Sequence, residues 1–164
     1  MVRKALLGFG LCALSSFSAQ AQDEDKVELF GGYSYMRFRG TNLNGWEVAG
    51  QYKFLDWLGG VADVDGHYGS FGGIGTSTYT FLVGPQISRP SSVSPFGHLL
   101  LGGTHNSTGG FGSSSFSMAL GGGVDAELPH GIHWRLIQMD YVLTQFGGGS
   151  QNNFRLSTGI LLKF

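Results

Sequence analysis

The chain has 164 residues, 13% of them charged, a net charge of −1 and one cysteine. That balance leaves no electrostatic footprint for nucleic acid, and one cysteine rules out an intrachain disulfide frame. Glycine (29 residues) and aromatics (13%) are both abundant. The glycines have no three-residue period, which excludes a collagen, and a disordered chain would lack the aromatics.

Arg3 and Lys4 precede an apolar run from Ala5 to Phe17, and Ala19-Gln20-Ala21 has the small-x-small form of a cleavage site. Residues 1–21 are therefore expected to be a secretory signal peptide, cut before Gln22. The run is too short and wrongly flanked for a spanning helix. Cys12 follows Leu11 rather than a small residue, so no lipid anchor is read there. Residues 22–164 make one domain by size, and no later run approaches the ~20 apolar residues of a membrane helix. Transmembrane strands escape that test, because only alternate residues face lipid.

From Lys26 onward the chain alternates in twos, the period of strands. In Lys26 to Phe38, Val27, Leu29, Tyr33 and Tyr35 oppose Glu28, Phe30, Ser34 and Met36. Thr41 to Asn44 reads as a turn. Trp46, Val48, Tyr52 and Phe54 then oppose Glu47, Gln51 and Lys53, and Leu55-Asp56-Trp57 turns the chain again. Leu58 to Tyr68 sets Ala62, Val64 and Tyr68 against Asp63, Asp65 and His67. Gly69 to Ser77 reads as a loop. Tyr79, Phe81, Val83, Pro85 and Ile87 form a fourth apolar face, with Pro85 expected near a strand end or bulge because it cannot donate to a ladder.

A turn from Arg89 to Ser94, a strand from Pro95 to His105, a loop from Asn106 to Ser113 and a strand from Ser115 to Leu128 follow. Pro129-His130-Gly131 is a tight turn. Ile132 to Thr144 breaks the alternation: Trp134 opposes Arg135, yet Met139, Tyr141 and Leu143 oppose Asp140 with the other parity. One extra residue near Leu136 to Gln138 reconciles the two halves, so a β-bulge is expected there. A loop from Gln145 to Asn152 leads to a last strand, with Phe154, Leu156, Thr158, Ile160, Leu162 and Phe164 on one face.

Eight strands, short turns after strands 2, 4 and 6 and longer loops after strands 3, 5 and 7 predict an all-β, eight-stranded, antiparallel up-and-down barrel of the outer-membrane kind. Strands of ~9–11 residues span when tilted. Pattern alone is equally compatible with a soluble barrel that turns its apolar faces inward. The terminal aromatic strand, the turn-and-loop alternation and the rim aromatics favour the membrane form.

Over residues 22–164 the chain resembles the small bacterial outer-membrane β-barrel proteins of the OmpA-transmembrane-domain and OmpX type. The resemblance rests on the strand count, the Ile160-x-Leu162-x-Phe164 ending and the segments Gly121 to Asp125, Arg135 to Tyr141 and Gln151 to Ile160. It implies that the last strand is read by the barrel-assembly machinery, with Ile160, Leu162 and Phe164 as the signal. It also implies an outer-membrane address and says little about function.

With eight strands, a lumen is filled by side chains. The charges on the polar faces are Glu28, Glu47, Lys53, Asp63, Asp65, Asp125, Glu127, Arg135, Asp140, Arg155 and Lys163. Hairpin arithmetic puts Asp125 and Glu127 near Arg135, Asp140 near Arg155, and Lys163 near Glu28. An ion-pair network plugging the barrel is expected, because isolated buried charges are costly. Tyr33, Tyr35, Trp46 and Tyr79 are expected at the outer rim. Phe54, Trp57, Trp134 and Phe164 are expected at the periplasmic rim, the two sets forming an aromatic girdle.

Asp63, Asp65 and His67 step ~6.8 Å apart along one face, too far for neighbouring ligands of one metal, so no metal or other cofactor is read. His105-Asn106-Ser107 resembles the His-x-Ser of lipid A deacylase barrels. The first acids after it, Asp125 and Glu127, lie roughly 30 Å away along the strands, and Thr104 stands where that family's arginine would be. The reading is a non-catalytic, monomeric envelope protein whose partners are outer-membrane lipid and, during insertion, the assembly machinery. A narrow passive pore is the runner-up and a lipid A-modifying enzyme a minor alternative. Phe71, Phe111 and Phe146 are the only large groups in the expected outer loops.

Overall fold

The computed structural model describes residues 26–164, so the signal-peptide reading and Cys12 lie outside the described residues. Eight strands run in chain order: β1 (Val27–Phe38), β2 (Thr41–Leu55), β3 (Leu58–Phe71), β4 (Ile74–Ser88), β5 (Val93–Thr108), β6 (Phe111–Glu127), β7 (Ile132–Phe146) and β8 (Gly149–Lys163). Each pairs antiparallel with its sequence neighbours, and β8 closes on β1 from Glu28↔Lys163 to Arg37↔Phe154. Closure leaves no unpaired sheet edge, the condition for a sheet in lipid. No helix among the described residues is long and apolar enough to cross a membrane, which does not bear on strands.

The period-2 pattern sets the faces. Val48, Val64, Phe81, Val83, Leu99, Leu101, Leu120, Tyr141 and Ile160 are exposed, while Glu47, Asp63, Asp65, Asp140 and Arg155 are buried. The polarity is inverted relative to a soluble barrel: the apolar faces look outward.

In β7 the extra residue is present. Register shifts between Arg135 and Gln138 against β8, and between Val124 and Asp125 against β6. Leu136 and Ile137 consequently both face outward, at 39% and 43% exposure, with Arg135 and Gln138 both inside. The bulge is what lets two apolar residues in succession meet the outside without turning Arg135 out. Pro85 lies three residues from the end of β4 and faces outward; it pairs with Gly60 of β3. On the β5 side no pair forms at Gly84 or Pro85, although the register is unbroken across them.

The connections correct the expected alternation of lengths. Apart from the glycine pairs 72–73, 109–110 and 147–148, the segments 41–44, 69–77, 106–113 and 145–152 are strand, not turn or loop. At the end of the barrel away from the chain termini, only Arg39-Gly40, Gly72-Gly73, Gly109-Gly110 and Gly147-Gly148 intervene between strands, all with positive φ. Positive φ at both central residues is the requirement of the tightest hairpins. Ser, Thr, Asn and Gly in these segments read as loop by composition. In a closed lumen, however, the Thr76 and Thr108 hydroxyls pair across neighbouring strands, and threonine is a good strand residue. The longer connections lie at the terminal end, at 89–92 and 128–131.

Candidate functional site

The lumen is the site that the folding pattern builds. Its apolar part is a cluster with one residue from each strand: Phe30, Ala49, Val61, Leu82, Leu100, Ala119, Val142 and Leu161. Among and beside these sit the charges.

Arg155 on β8 is the hub. Its Nε and Nη2 donate to Asp140 Oδ2 at 2.9 and 2.6 Å. Nη1 donates across the lumen to Asp63 Oδ1 at 2.9 Å and also to Asp65, and Glu47 Oε2 lies 3.6 Å from Nε. The side chain is completely buried. Four carboxylates from β2, β3 and β7 thus converge on one guanidinium, whose five donors in a fixed fork suit that task as a lysine would not.

Gln138 spans between Glu47 and Asp140, donating 2.8 Å to each. It also accepts from Arg135 Nη1 at 2.7 Å. Arg135 meets Asp125 in a two-point fork of 2.8 and 3.1 Å. Its guanidinium lies between the rings of Phe30 and Phe96, at 4.5 and 4.1 Å from their centroids. These two cation–π contacts offset part of the lost hydration. Nearer the termini, Glu28 takes Lys53 at 2.6 Å and Lys163 at 3.4 Å. The free space beside Gln86, His98 and Arg135 is about 10 Å³, at the lower limit for one water.

Of the residues read as luminal, Glu28, Lys53, Asp63, Asp65, Asp125, Arg135, Asp140, Arg155 and Lys163 stand in this network. Glu127 does not: it is exposed at the terminal rim, opposite His133. β6 ends at that residue, so the side chain has left the lumen.

Two histidines complete the network without having been singled out as members. His98 Nε2 is 2.6 Å from Asp140 Oδ1, and its Nδ1 is 3.4 Å from Gln86 Oε1. His67 Nδ1 is 3.0 Å from Asp65, and its Nε2 is 2.9 Å from Ser34 Oγ. Asp65, His67 and Ser34 thus have the connectivity of a hydrolase triad, far from His105-Asn106-Ser107. All three have zero exposure. Ser34 Oγ is already shared with Ser157 Oγ at 2.9 Å, and Ser34 lies within the ladders to β2 and β8. His105 itself faces outward and meets Ser114 at 2.8 Å. Ser34 and Gln138 escaped notice because a neutral polar residue at an inward position carries no signal of its own. Only the partner across the lumen marks it.

Toward the hairpin end the lumen changes to hydroxyls. Thr104 meets Thr80 at 3.2 Å and Ser117 at 2.7 Å, and Ser117 donates to Thr144 at 3.3 Å. Asp63 and Asp65 both turn to Arg155, and no cluster among the described residues is arranged for a metal.

On the outside, Tyr33, Trp46 and Tyr79 face outward in the hairpin half, and Tyr35 is half-buried with its hydroxyl donating 2.7 Å to Asn42. Tyr68 joins them, its hydroxyl 2.9 Å from that of Tyr79. Phe54, Trp57, Trp134 and Phe164 face outward in the terminal half. Ile160, Leu162 and Phe164 are all exposed.

No family model and no curated protein matches this chain. Solved structures do. Neisserial surface protein A is similar at TM-score 0.61 and 15% identity, over 84% of this chain and 96% of that one. The N-terminal β-barrel domain of Pseudomonas aeruginosa OprF is similar at TM-score 0.55 and 8% identity, over 87% and 100%. The Yersinia pestis outer membrane protein Ail, in a phospholipid bilayer nanodisc, is similar at TM-score 0.54 and 21% identity, over 86% and 100%. Closed eight-strand order, inverted polarity and these likenesses together identify the fold as that of the small outer-membrane β-barrels.

Proposed function

We propose that the chain is an integral outer-membrane protein with no catalytic role, serving the envelope as a rigid, plugged barrel that presents its hairpin end to the outside. The observation that carries this reading is the inverted polarity. A belt of exposed Val, Leu, Ile and Phe encircles the barrel while the charges pair within it. In water such a belt would be an aggregation surface far larger than a monomer tolerates. In lipid it is the solvent-facing side.

On this reading the terminal end lies in the periplasm. Tyr33, Tyr35, Trp46 and Tyr79 then form the outer girdle, and Phe54, Trp57, Trp134 and Phe164 the inner one. Ile160, Leu162 and Phe164 face outward, as a strand read by an assembly machinery requires. The buried Asp65–His67–Ser34 chain is structural: no substrate reaches a serine of zero exposure, and its hydroxyl is already committed.

The test pairs a gel with a bilayer. Refolded protein is expected to run as a compact band that shifts on boiling, and to leave a planar bilayer silent. Discrete conductance steps would mean that the luminal network opens and would replace the plugged barrel with a narrow pore. Solubility without detergent, and no band shift, would end the membrane reading.

A further inference from the structure

We infer that the outer wall, in its terminal half, carries a site for one phospholipid whose head bears both a phosphate and an ammonium; this rests on the membrane reading above. A shallow groove of about 380 Å³ runs there, and its lining includes Trp57, Ile87, Arg89, Pro95 and Gly97. Trp57, Ile87 and Pro95 face outward, so the groove opens on the side that meets lipid. Its floor is bare because two glycines lie side by side. Gly97 pairs with Ile87 on one flank and with Gly122 on the other. One outward pair further toward the middle of the barrel, Leu99 and Leu120 cover the wall again. The volume falls within the ~300–1,000 Å³ of ligand sites, which are mostly apolar with a few polar groups. A stretch of acyl chain suits such a groove.

The rim selects the head. The Ser88 N–H donates to the Trp57 carbonyl at 2.8 Å, and the Arg89 N–H to the Pro95 carbonyl at 3.0 Å. The first bond ties the β2–β3 turn to the end of β4. Asp56 and Arg89, one residue beyond that bonded pair, are both exposed and stand in neighbouring connections at the terminal end of the groove. A guanidinium takes a phosphate, and a carboxylate an ammonium, through charge-assisted hydrogen bonds. Two signs at one rim fit a head that carries both better than a head that carries the phosphate alone. Trp57 marks the depth, since an amphipathic ring sits where acyl chain meets headgroup. In the proposed orientation this is the periplasmic leaflet.

The experiment titrates the refolded protein, in an uncharged polyoxyethylene detergent, with phosphatidylethanolamine and counts bound lipids by native mass spectrometry. One molecule is expected to be held ahead of the statistical series, roughly tenfold more tightly than diacylglycerol of the same chains, the worth of one charge-assisted contact. Phosphatidylglycerol, which lacks the ammonium, should bind more weakly than phosphatidylethanolamine. Asp56→Asn should erase that difference, and Arg89→Gln should weaken both lipids. A Cβ on Gly97 meets nothing nearer than 3.7 Å, so Gly97→Phe should fill the groove and abolish the first binding event. Gly31→Phe, on the outward face of β1 with open space at its Cβ, should leave that event unchanged. The heat-modifiability gel certifies each variant, and Arg89→Gln and Asp56→Asn, in exposed connections, supply the result if Gly97→Phe does not fold. Four outcomes overturn the proposal: a statistical series alone, which is an unselective annulus; a first event that survives Gly97→Phe; indifference to Arg89→Gln; or phosphatidylglycerol as tight as phosphatidylethanolamine. A wild-type protein with no heat shift would instead overturn the membrane reading, and the site with it.

Discussion

At the scale of single residues, Arg155 carries more of the interior than any other side chain. It is the one guanidinium among Glu47, Asp63, Asp65 and Asp140. Removing one partner of a buried ion pair typically costs 3–5 kcal/mol, because the other charge stays buried and uncompensated. Arg155→Met is therefore expected to lose about 3–5 kcal/mol in urea unfolding followed in lipid vesicles. Adding Glu47→Gln to that variant should recover part of the loss, since one stranded charge disappears. A second change that lowers stability further would show that Glu47 is held by Gln138 and Ser157 rather than by Arg155. The partnership of Arg155 with Asp140 was legible from hairpin arithmetic. Its reach to Asp63 and Asp65, 92 and 90 residues away, was not, because it crosses the lumen and no local pattern encodes the chord of a barrel.

At the scale of elements, the closing seam is the most constrained. Gly32 of β1 and Gly159 of β8 face each other across it. A Cβ on Gly32 would lie 2.1 Å from the carbonyl oxygen of Thr158, and one on Gly159 2.3 Å from that of Gly31. Both obstacles are backbone and cannot swing aside. Gly32→Ala and Gly159→Ala should each destabilise the barrel by about 1–3 kcal/mol or more. Gly31→Ala, next in sequence but with open space at its Cβ, should leave the unfolding midpoint close to wild type. Equal effects at Gly31 and Gly32 would mean that glycine matters here for chain entropy and not for close approach. A different glycine, Gly66, is overlaid by the indole of Trp46, 2.9 Å from where a Cβ would stand, so an aromatic covers a bare stretch of the outer wall. The β7 bulge was readable because two clean half-patterns of opposite parity have one reconciliation. The hairpin turns were misread because polar composition was taken for loop, where closure makes the same residues lumen.

At the scale of the whole molecule, the two ends differ in kind. The hairpin end has two-residue turns, hydroxyl-lined walls and exposed Phe71 and Phe111. The acids lie in the middle of the barrel and toward the terminal end, which also has the longer connections. Turns of this sort, with small residues and positive φ, are where insertions are tolerated. A short epitope placed between Gly72 and Gly73, or between Gly109 and Gly110, should leave the heat-shifted band intact and be detected by antibody on intact cells. An epitope between Ser91 and Ser92 should be detected only after the envelope is opened. The reverse pattern would invert the proposed orientation.

The sequence by itself determined the strands, the two faces of each, the bulge and the chemical separation of charge from apolar surface. All of these follow from a period of two along the chain, and the pairs next to each other in sequence follow from hairpin folding. What it left open was which face is inside, since a soluble and a membrane barrel share the same alternation. Only the closed tertiary structure decided that. Packing the apolar faces inward would turn Arg155, Asp63, Asp65, Asp140 and Glu47 away from one another. Closing the sheet the other way brings them within hydrogen-bonding distance of one another inside the lumen.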